Sequence, residues 1–307
     1  MIEERIQTIV AARQRGVPVA EIAEEHAISP RWARRLISRN GAQVHEPCRW
    51  RMVNHLRGGN EGRAADRRML AELAQIVPDL GQAARDAADF VERATRWVVR
   101  QQHVTRITRV LVLGIDIPPK NEALYADAWR AAGLRPGDGR VLYVDDDPVV
   151  NAVARAYLVD YPSVEVVEGN PADPTGIERV RREMLNHRVG EPVLTVIPGL
   201  LHRLGDEEAA TLLKNIRKSS PPGSYVIATH ALDPETSEGT PAAGMLGAAV
   251  ANQPYVGPAY FRTRRQIRAL LPSANISTAR DWFPIGPLLR QPRNPASELM
   301  AGIVAAV

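Results

Sequence analysis

The residues best able to do chemistry lie between positions 114 and 230. Asp145, Asp146 and Asp147 form a carboxylate run about 30 residues beyond Gly114, the length of one βαβ unit. A glycine turn followed at that distance by an acid suits a nucleoside. The turn lets backbone approach the ligand, and the carboxylate accepts hydrogen bonds from both ribose hydroxyls. The competing reading is an ordinary βαβ unit with a solvated acidic turn. His202 and His230 fall where later strands end, and His202 is the first candidate for a general base; the alternative is a hydrogen-bonded strand-end histidine. The seven histidines show no HExxH spacing and Cys48 is the only cysteine, so no metal site is expected. GxSxG and P-loop patterns are absent. The glycine turn carries one glycine rather than the three of GxGxxG, which disfavours dehydrogenase chemistry.

Several elements must position these residues. Val110–Leu113 and Val141–Val144 are short apolar runs of the kind buried on both faces of a parallel sheet. Between them, Asn121 is placed to cap a helix carrying Leu124, Tyr125 and Trp129. Further strands are expected at 164–168, 193–197 and 225–230, and around Trp282-Phe283 and Ile303-Val304. Helices are expected at 175–187 and 206–219 and around Arg264, Arg265 and Arg268. The Gly-, Pro- and Ala-rich stretch 231–258 reads as a lid over the site. This alternation predicts an α/β, Rossmann-like domain with a mostly parallel sheet. Phe90, Ala94, Trp97 and Val98 recur at helical spacing and read as core.

The chain has 307 residues, 45% hydrophobic and 24% charged, the balance of a globular protein. No apolar run approaches the ~20 residues of a membrane span. The N-terminus lacks the pattern of a signal peptide, and the single cysteine suits a reducing cytoplasm. The net charge of +4 is too mild by itself to demand nucleic acid. Basic residues are locally dense, however. Residues 20–27, a turn at Ile28-Ser29-Pro30, and RWARRLISRN at 31–40 read as a helix-turn-helix, a small all-α domain. Its second helix offers Arg31, Trp32, Arg34, Arg35 and Arg39 to DNA, in which case a homodimer is expected. The other reading is a three-helix packing module with a solvated basic face. The expected divisions are a helix-turn-helix domain at 1–42, a linker at 43–50, a helical lead-in at 51–108 and the Rossmann-like domain at 109–307.

Several blocks carry a family resemblance: LRGGNEGRAADR (56–67), YVDDDPVV (143–150), LLHRL (200–204), PPGSYVIATH (221–230) and the pair Arg262-Thr263. Through them the chain from about residue 50 onward resembles the bacterial S-adenosyl methyltransferase family, once a domain of unknown function. The resemblance implies a class I methyltransferase fold with S-adenosylmethionine as cofactor. By it, Gly114 and Asp116 would lie by the methionine part, Asp145 would hold the ribose, and Asp146 and Asn170 would lie near the adenine. Pro198 and Gly199 would line the cleft, and the Gly58-Gly59 loop would cover it. The acceptor would be a small molecule or a peptide. The family's first-strand motif reads aspartate-x-glycine-threonine-glycine, and here Val112-Leu113-Gly114-Ile115-Asp116 stands instead. Its tyrosine-aspartate-tyrosine before the glycine pair is Val53-Asn54-His55. These departures motivate a second reading: a DNA-binding regulator whose methyltransferase-like domain is catalytically inactive and senses a ligand or dimerises.

Overall fold

The computed structural model describes residues 8, 9, 12, 17–28, 30, 33, 46–100, 107–115, 123–158, 160, 161, 163–183, 190–281 and 295–307. Among the described residues seven strands form one sheet: β1 Arg109–Leu113, β2 Arg140–Asp145, β3 Val164–Glu168, β4 Val193–Ile197, β5 Tyr225–Ala231, β6 Ala274–Thr278 and β7 Met300–Ala306. Their order is β3-β2-β1-β4-β5-β7-β6, parallel except at β7, which runs antiparallel to both neighbours. The order in which successive strands are added reverses between β1 and β4, so the loops after these two parallel strands leave in opposite directions and open a crevice at their carboxyl ends.

Strand alternation builds a core on each face. Val110, Val112 and Tyr143 point to one side, against Phe90, Ala94 and Val98 of a long helix and against Tyr125 and Trp129. Leu111, Leu113 and Leu142 point to the other, against Leu212, Leu213 and Ile216. Period-2 strands packed between period-3.6 helices need apolar residues on both faces, which is why these strands read as unbroken apolar runs.

The helices are α1 Val19–Glu25, α2 Arg49–Leu56, α3 Ala64–Ile76, α4 Leu80–Arg100, α5 Leu124–Ala131, α6 Pro148–Leu158, α7 Pro174–Glu183, α8 Asp206–Ser219, α9 Gly239–Ala251, α10 Arg264–Leu270 and α11 Pro295–Glu298. Among the described residues none is long and apolar enough to cross a membrane. Helices α2, α3 and α9 share a third apolar cluster through Met52, Leu73, Leu246 and Val250. Ile9, Ala12 and Ile22 form a separate small cluster at the N-terminus.

Three sequence expectations change. The linker expected at 43–50 runs into folded structure: Cys48 and Trp50 are buried in the main core, and α2 begins at Arg49. Asp66 draws this stretch inward. It accepts Cys48 N–H at 2.7 Å, Arg51 Nε at 2.7 Å and Arg63 N–H at 2.7 Å, all around a carboxylate with no exposure. The strand at Ala274–Thr278 was not foreseen, and Trp282-Phe283 lie outside the described residues. So do Asn121 and residues 184–189, so the expected cap and the last turn of the 175–187 helix go undescribed. The expected lid contains a regular helix, α9.

Candidate active site at the strand edge

The turn after β1 is held by its neighbour strand. Gly114 N–H donates to Val144 O at 2.9 Å, and Gly114 sits at φ +76°, a left-handed conformation that glycine adopts freely. A Cβ there would come within 3.2 Å of Leu200 Cβ, so a side chain would also crowd the loop after β4. Across the crevice Gly199 is likewise left-handed, φ +73°, with its N–H bonded to Thr229 Oγ1 at 3.0 Å. Two left-handed backbone turns thus follow the paired strands β1 and β4, with Leu200 packed close to the first.

Asp145 closes the same edge and is 1% exposed. One carboxylate oxygen accepts Ile115 N–H at 2.7 Å and the other accepts Asp147 N–H at 2.9 Å. Asn151 Nδ2 bonds its backbone oxygen at 2.9 Å. The carboxylate therefore ties the two turns together, yet each oxygen keeps a second lone pair for a hydroxyl donor. Burial pushes its pKa up, against the downward pull of those two N–H donors. Asp147 has a different task, capping α6 through Val149 N–H at 2.8 Å. Asp146 is exposed beside it. Asn170, also exposed, uses its oxygen to close a turn on Ala172 N–H at 2.9 Å. Pro198 is half-buried next to Gly199. Asp116 lies outside the described residues.

His202 sits in a short 3-10 turn, Leu201–Arg203, that follows β4. Its ring meets His230 edge to face, with centroids 6.0 Å apart, and its buried Nδ1 has no hydrogen-bond partner. Burial, His230 and the cation of Arg49 push the His202 pKa well below its ordinary 6.5, with Arg203 and Arg262 acting the same way. It is therefore neutral at physiological pH and a weak proton acceptor.

Arg262, 3% exposed, holds this turn in place. It donates to Leu201 O at 3.0 Å, Leu204 O at 2.8 Å, Asp206 Oδ1 at 2.9 Å and His230 Nε2 at 2.8 Å. An arginine can only donate, so His230 Nε2 is the acceptor and its proton rides on Nδ1, which points to Ala231 O at 2.6 Å. The segment leading to Arg262 passes directly over the histidine, Tyr260 N–H donating to His202 O at 2.7 Å.

Behind His202 opens a cavity of about 200 Å³ walled by α2, α3, α9 and residues 256–261. Met52, Leu73, Leu246, Val250, Phe261 and Leu299 line it, and Arg49, His202 and Arg203 supply its cationic or polar part. The Gly58-Gly59 turn follows α2 and is organised by Asn54. That side chain accepts Glu61 N–H at 3.0 Å and fills the space that a Cβ on Gly59 would need. Asn54 thus supplies the acceptor oxygen an aspartate would have supplied. Among the described residues there is no cluster of three metal-ligating side chains.

Sequence reading brought Gly114, Asp145, Pro198, Gly199 and His202 to one edge, and the structure places them there. It missed Arg49, Thr229 and Arg262. Arg262 had a signal, since it stands in a family-like pair, whereas Arg49 and Thr229 had none. Arg31, Trp32, Arg34, Arg35 and Arg39 fall outside the described residues.

A family model described as S-adenosyl methyltransferase matches residues 37–305. Solved structures share the fold. A candidate methyltransferase from Thermobifida fusca has 23% identity and a TM-score of 0.72, covering 87% of this chain and 97% of its own. A DUF574 family protein from Streptomyces avermitilis has 19% identity and a TM-score of 0.70, covering 86% and 98%. None of the curated proteins matches the chain.

Proposed function

The chain belongs to the S-adenosyl methyltransferase family, whose cofactor is S-adenosylmethionine, and from that premise we propose that it methylates a small molecule with an apolar body. The observation that carries the reading is the pair of left-handed glycines, Gly114 and Gly199, after the paired strands β1 and β4, with the buried carboxylate of Asp145 tied to the first turn and an apolar cavity beside His202.

The residues present fit the cofactor's nucleoside. Asp145 has spare lone pairs for the ribose hydroxyls, and Asp146 and Asn170 stand at the neighbouring strand ends for the adenine. Gly114 and Gly199 bring bare backbone to the crevice beside Pro198, and Gly58-Gly59 is the proposed cover. S-adenosylmethionine supplies an electrophilic methyl group on a sulfonium. The protein's contribution is to align an acceptor with it and exclude water, and such positioning can supply much of the rate. The His202 side chain orients the acceptor, because burial and neighbouring cations push its pKa down and make it a poor proton acceptor.

Calorimetric titration with S-adenosylhomocysteine tests this. Micromolar binding is expected, weakened at least about tenfold, or ~1.4 kcal/mol, in Asp145→Asn. Silence at millimolar ligand would sink the proposal.

One observation favours an added DNA-binding role. Ala27 follows α1 at φ +48°, a left-handed reversal after a seven-residue helix, beside a small core of its own and ahead of the family's span at 37–305. We infer that residues 1–42 are a separate helix-turn-helix unit, joined to the methyltransferase domain, that reads DNA as a homodimer. In its stronger form the protein is a regulator whose enzyme-like domain only senses ligand. Replacing Arg34 and Arg35 with Ala should weaken DNA binding and flatten its salt dependence; unchanged binding would exclude that helix as the docking surface.

A further inference from the structure

The cavity behind His202 has a charge pattern that narrows the acceptor, and this inference rests on the methyltransferase reading above. Its wall is apolar except at one end, where Arg49, His202 and Arg203 converge, and no carboxylate lines it among the described residues. Arg49 begins α2 and lies near Asp145, Asp147 and His202, so it stands between the strand-edge crevice and the cavity. Its guanidinium makes no hydrogen bond or ion pair among the described residues. A half-buried guanidinium without a hydrogen-bonding partner, at the mouth of an apolar chamber, calls for an anionic one.

We propose that the acceptor is an apolar carboxylic acid, docked with its hydrocarbon body in the chamber and its carboxylate on Arg49, and that the product is a methyl ester. A chamber of about 200 Å³ holds about one substituted ring or a short aliphatic chain. An amine would bring a positive charge towards Arg49 and Arg203, and among the described residues no carboxylate lines the chamber to receive it. A phenol or alcohol would need a base to take its proton, and His202, the base that lines the chamber among the described residues, has its pKa pushed well down by burial and neighbouring cations. A carboxylate arrives already ionised. Its oxygen lone pair forms a bond to the methyl carbon as the bond from that carbon to sulfur breaks. The electron pair stays on sulfur, which leaves as a thioether, and no proton moves. His202 lies beside the reacting oxygen as a neutral neighbour that leaves the carboxylate's charge on Arg49.

Octanoate, 1-octanol and octylamine share a chain and differ in charge, so they serve as probes. Each would be titrated calorimetrically into the full-length protein saturated with S-adenosylhomocysteine at pH 7.5. Octanoate should bind at least about tenfold tighter than octanol, with octylamine weakest. Arg49→Met should bring octanoate down to the octanol level and change S-adenosylhomocysteine affinity less than threefold. Arg49→Lys, which keeps the charge, should retain part of the preference and guards against a folding defect in the methionine variant. Octanol or octylamine binding as tightly as octanoate overturns the proposal. So does an Arg49→Met protein that keeps octanoate but loses S-adenosylhomocysteine, since Arg49 would then serve the cofactor. If the wild-type protein fails to bind S-adenosylhomocysteine at all, the methyltransferase reading falls first. If it binds but shows no octanoate preference, only the acceptor class is wrong.

Discussion

Replacing Arg262 with methionine keeps the length of the side chain and removes every donor. The structure sets the cost. Leu204 O and His230 Nε2 lose the only donors they have among the described residues, at 2.8 Å each. Leu201 O keeps a long bond from Leu204 N–H at 3.4 Å. A stranded buried acceptor costs about 1–3 kcal/mol, so two give roughly 2–6 kcal/mol, and methionine packing returns part of that. The expected loss is about 3–4 kcal/mol, within that range. The ion pair contributes little of it. Asp206 lies 2.8 Å from the guanidinium, yet its side chain is 84% exposed, so water takes over when the partner leaves. Asp206→Asn should therefore cost less than about 1 kcal/mol. Urea unfolding followed by tryptophan fluorescence would measure both variants, with free energies extrapolated to water. An Arg262→Met protein within about 1 kcal/mol of wild type would refute the reasoning. So would an Asp206→Asn protein as unstable as Arg262→Met, because the stability would then reside in the ion pair rather than in the buried acceptors.

Removing the buried carboxylate in Asp66→Ala takes the carboxylate from Arg51 and strands two backbone N–H groups, and should destabilise the fold by about 3–5 kcal/mol on the same urea assay; a loss below about 1 kcal/mol would show that α2 and α3 dock without it. Acid should destabilise the protein through His230, whose pKa is lowered from 6.5 to about 4, chiefly by burial. The unfolded chain then binds a proton between pH 6.5 and about 4 that the folded one refuses, so this contribution is present above 6.5 and disappears as the pH falls through that window, by about 3 kcal/mol. Asp145 and Asp147, whose carboxyls are raised by burial, act in the opposite sense at the acid end. Comparing wild type with His230→Gln by denaturation at pH 7 and pH 4.5 isolates the histidine, and equal acid losses in the two proteins would contradict the assignment.

The strands were legible because what makes them is local. Val193–Ile197 has the expected bounds because a short, mostly apolar run between turn residues has few other places to go in a parallel sheet, and Val164–Glu168 has them because its valines and glutamates mark a half-buried strand at the sheet edge. Helix α8 at Asp206–Ser219 likewise announced itself by its spacing and its acidic first turn. The strand Ala274–Thr278 did not. Its sequence, ANIST, is weakly apolar, and it is a strand because β7 pairs with it at the sheet edge. Helix α9 was hidden for a similar reason. Its glycines and alanines give little helical signal, and packing against α3 decides the conformation.

The site divides along the same line. Gly114, Asp145 and Gly199 are tied to strand ends, so any reading that finds the strands finds them. By itself, the sequence determined an alternating α/β chain with an acid after its second strand and a glycine at each side of the switch point. Only the tertiary structure decided that Arg262 holds the His202 turn from 61 residues away in sequence, and that Arg49 stands between the crevice and an apolar chamber. Apolar periodicity is written in neighbouring residues. A cavity, by contrast, is the space left between α2, α3 and α9, and the pKa of His202 is set by residues brought close only by folding, so neither leaves a mark on any local stretch of sequence.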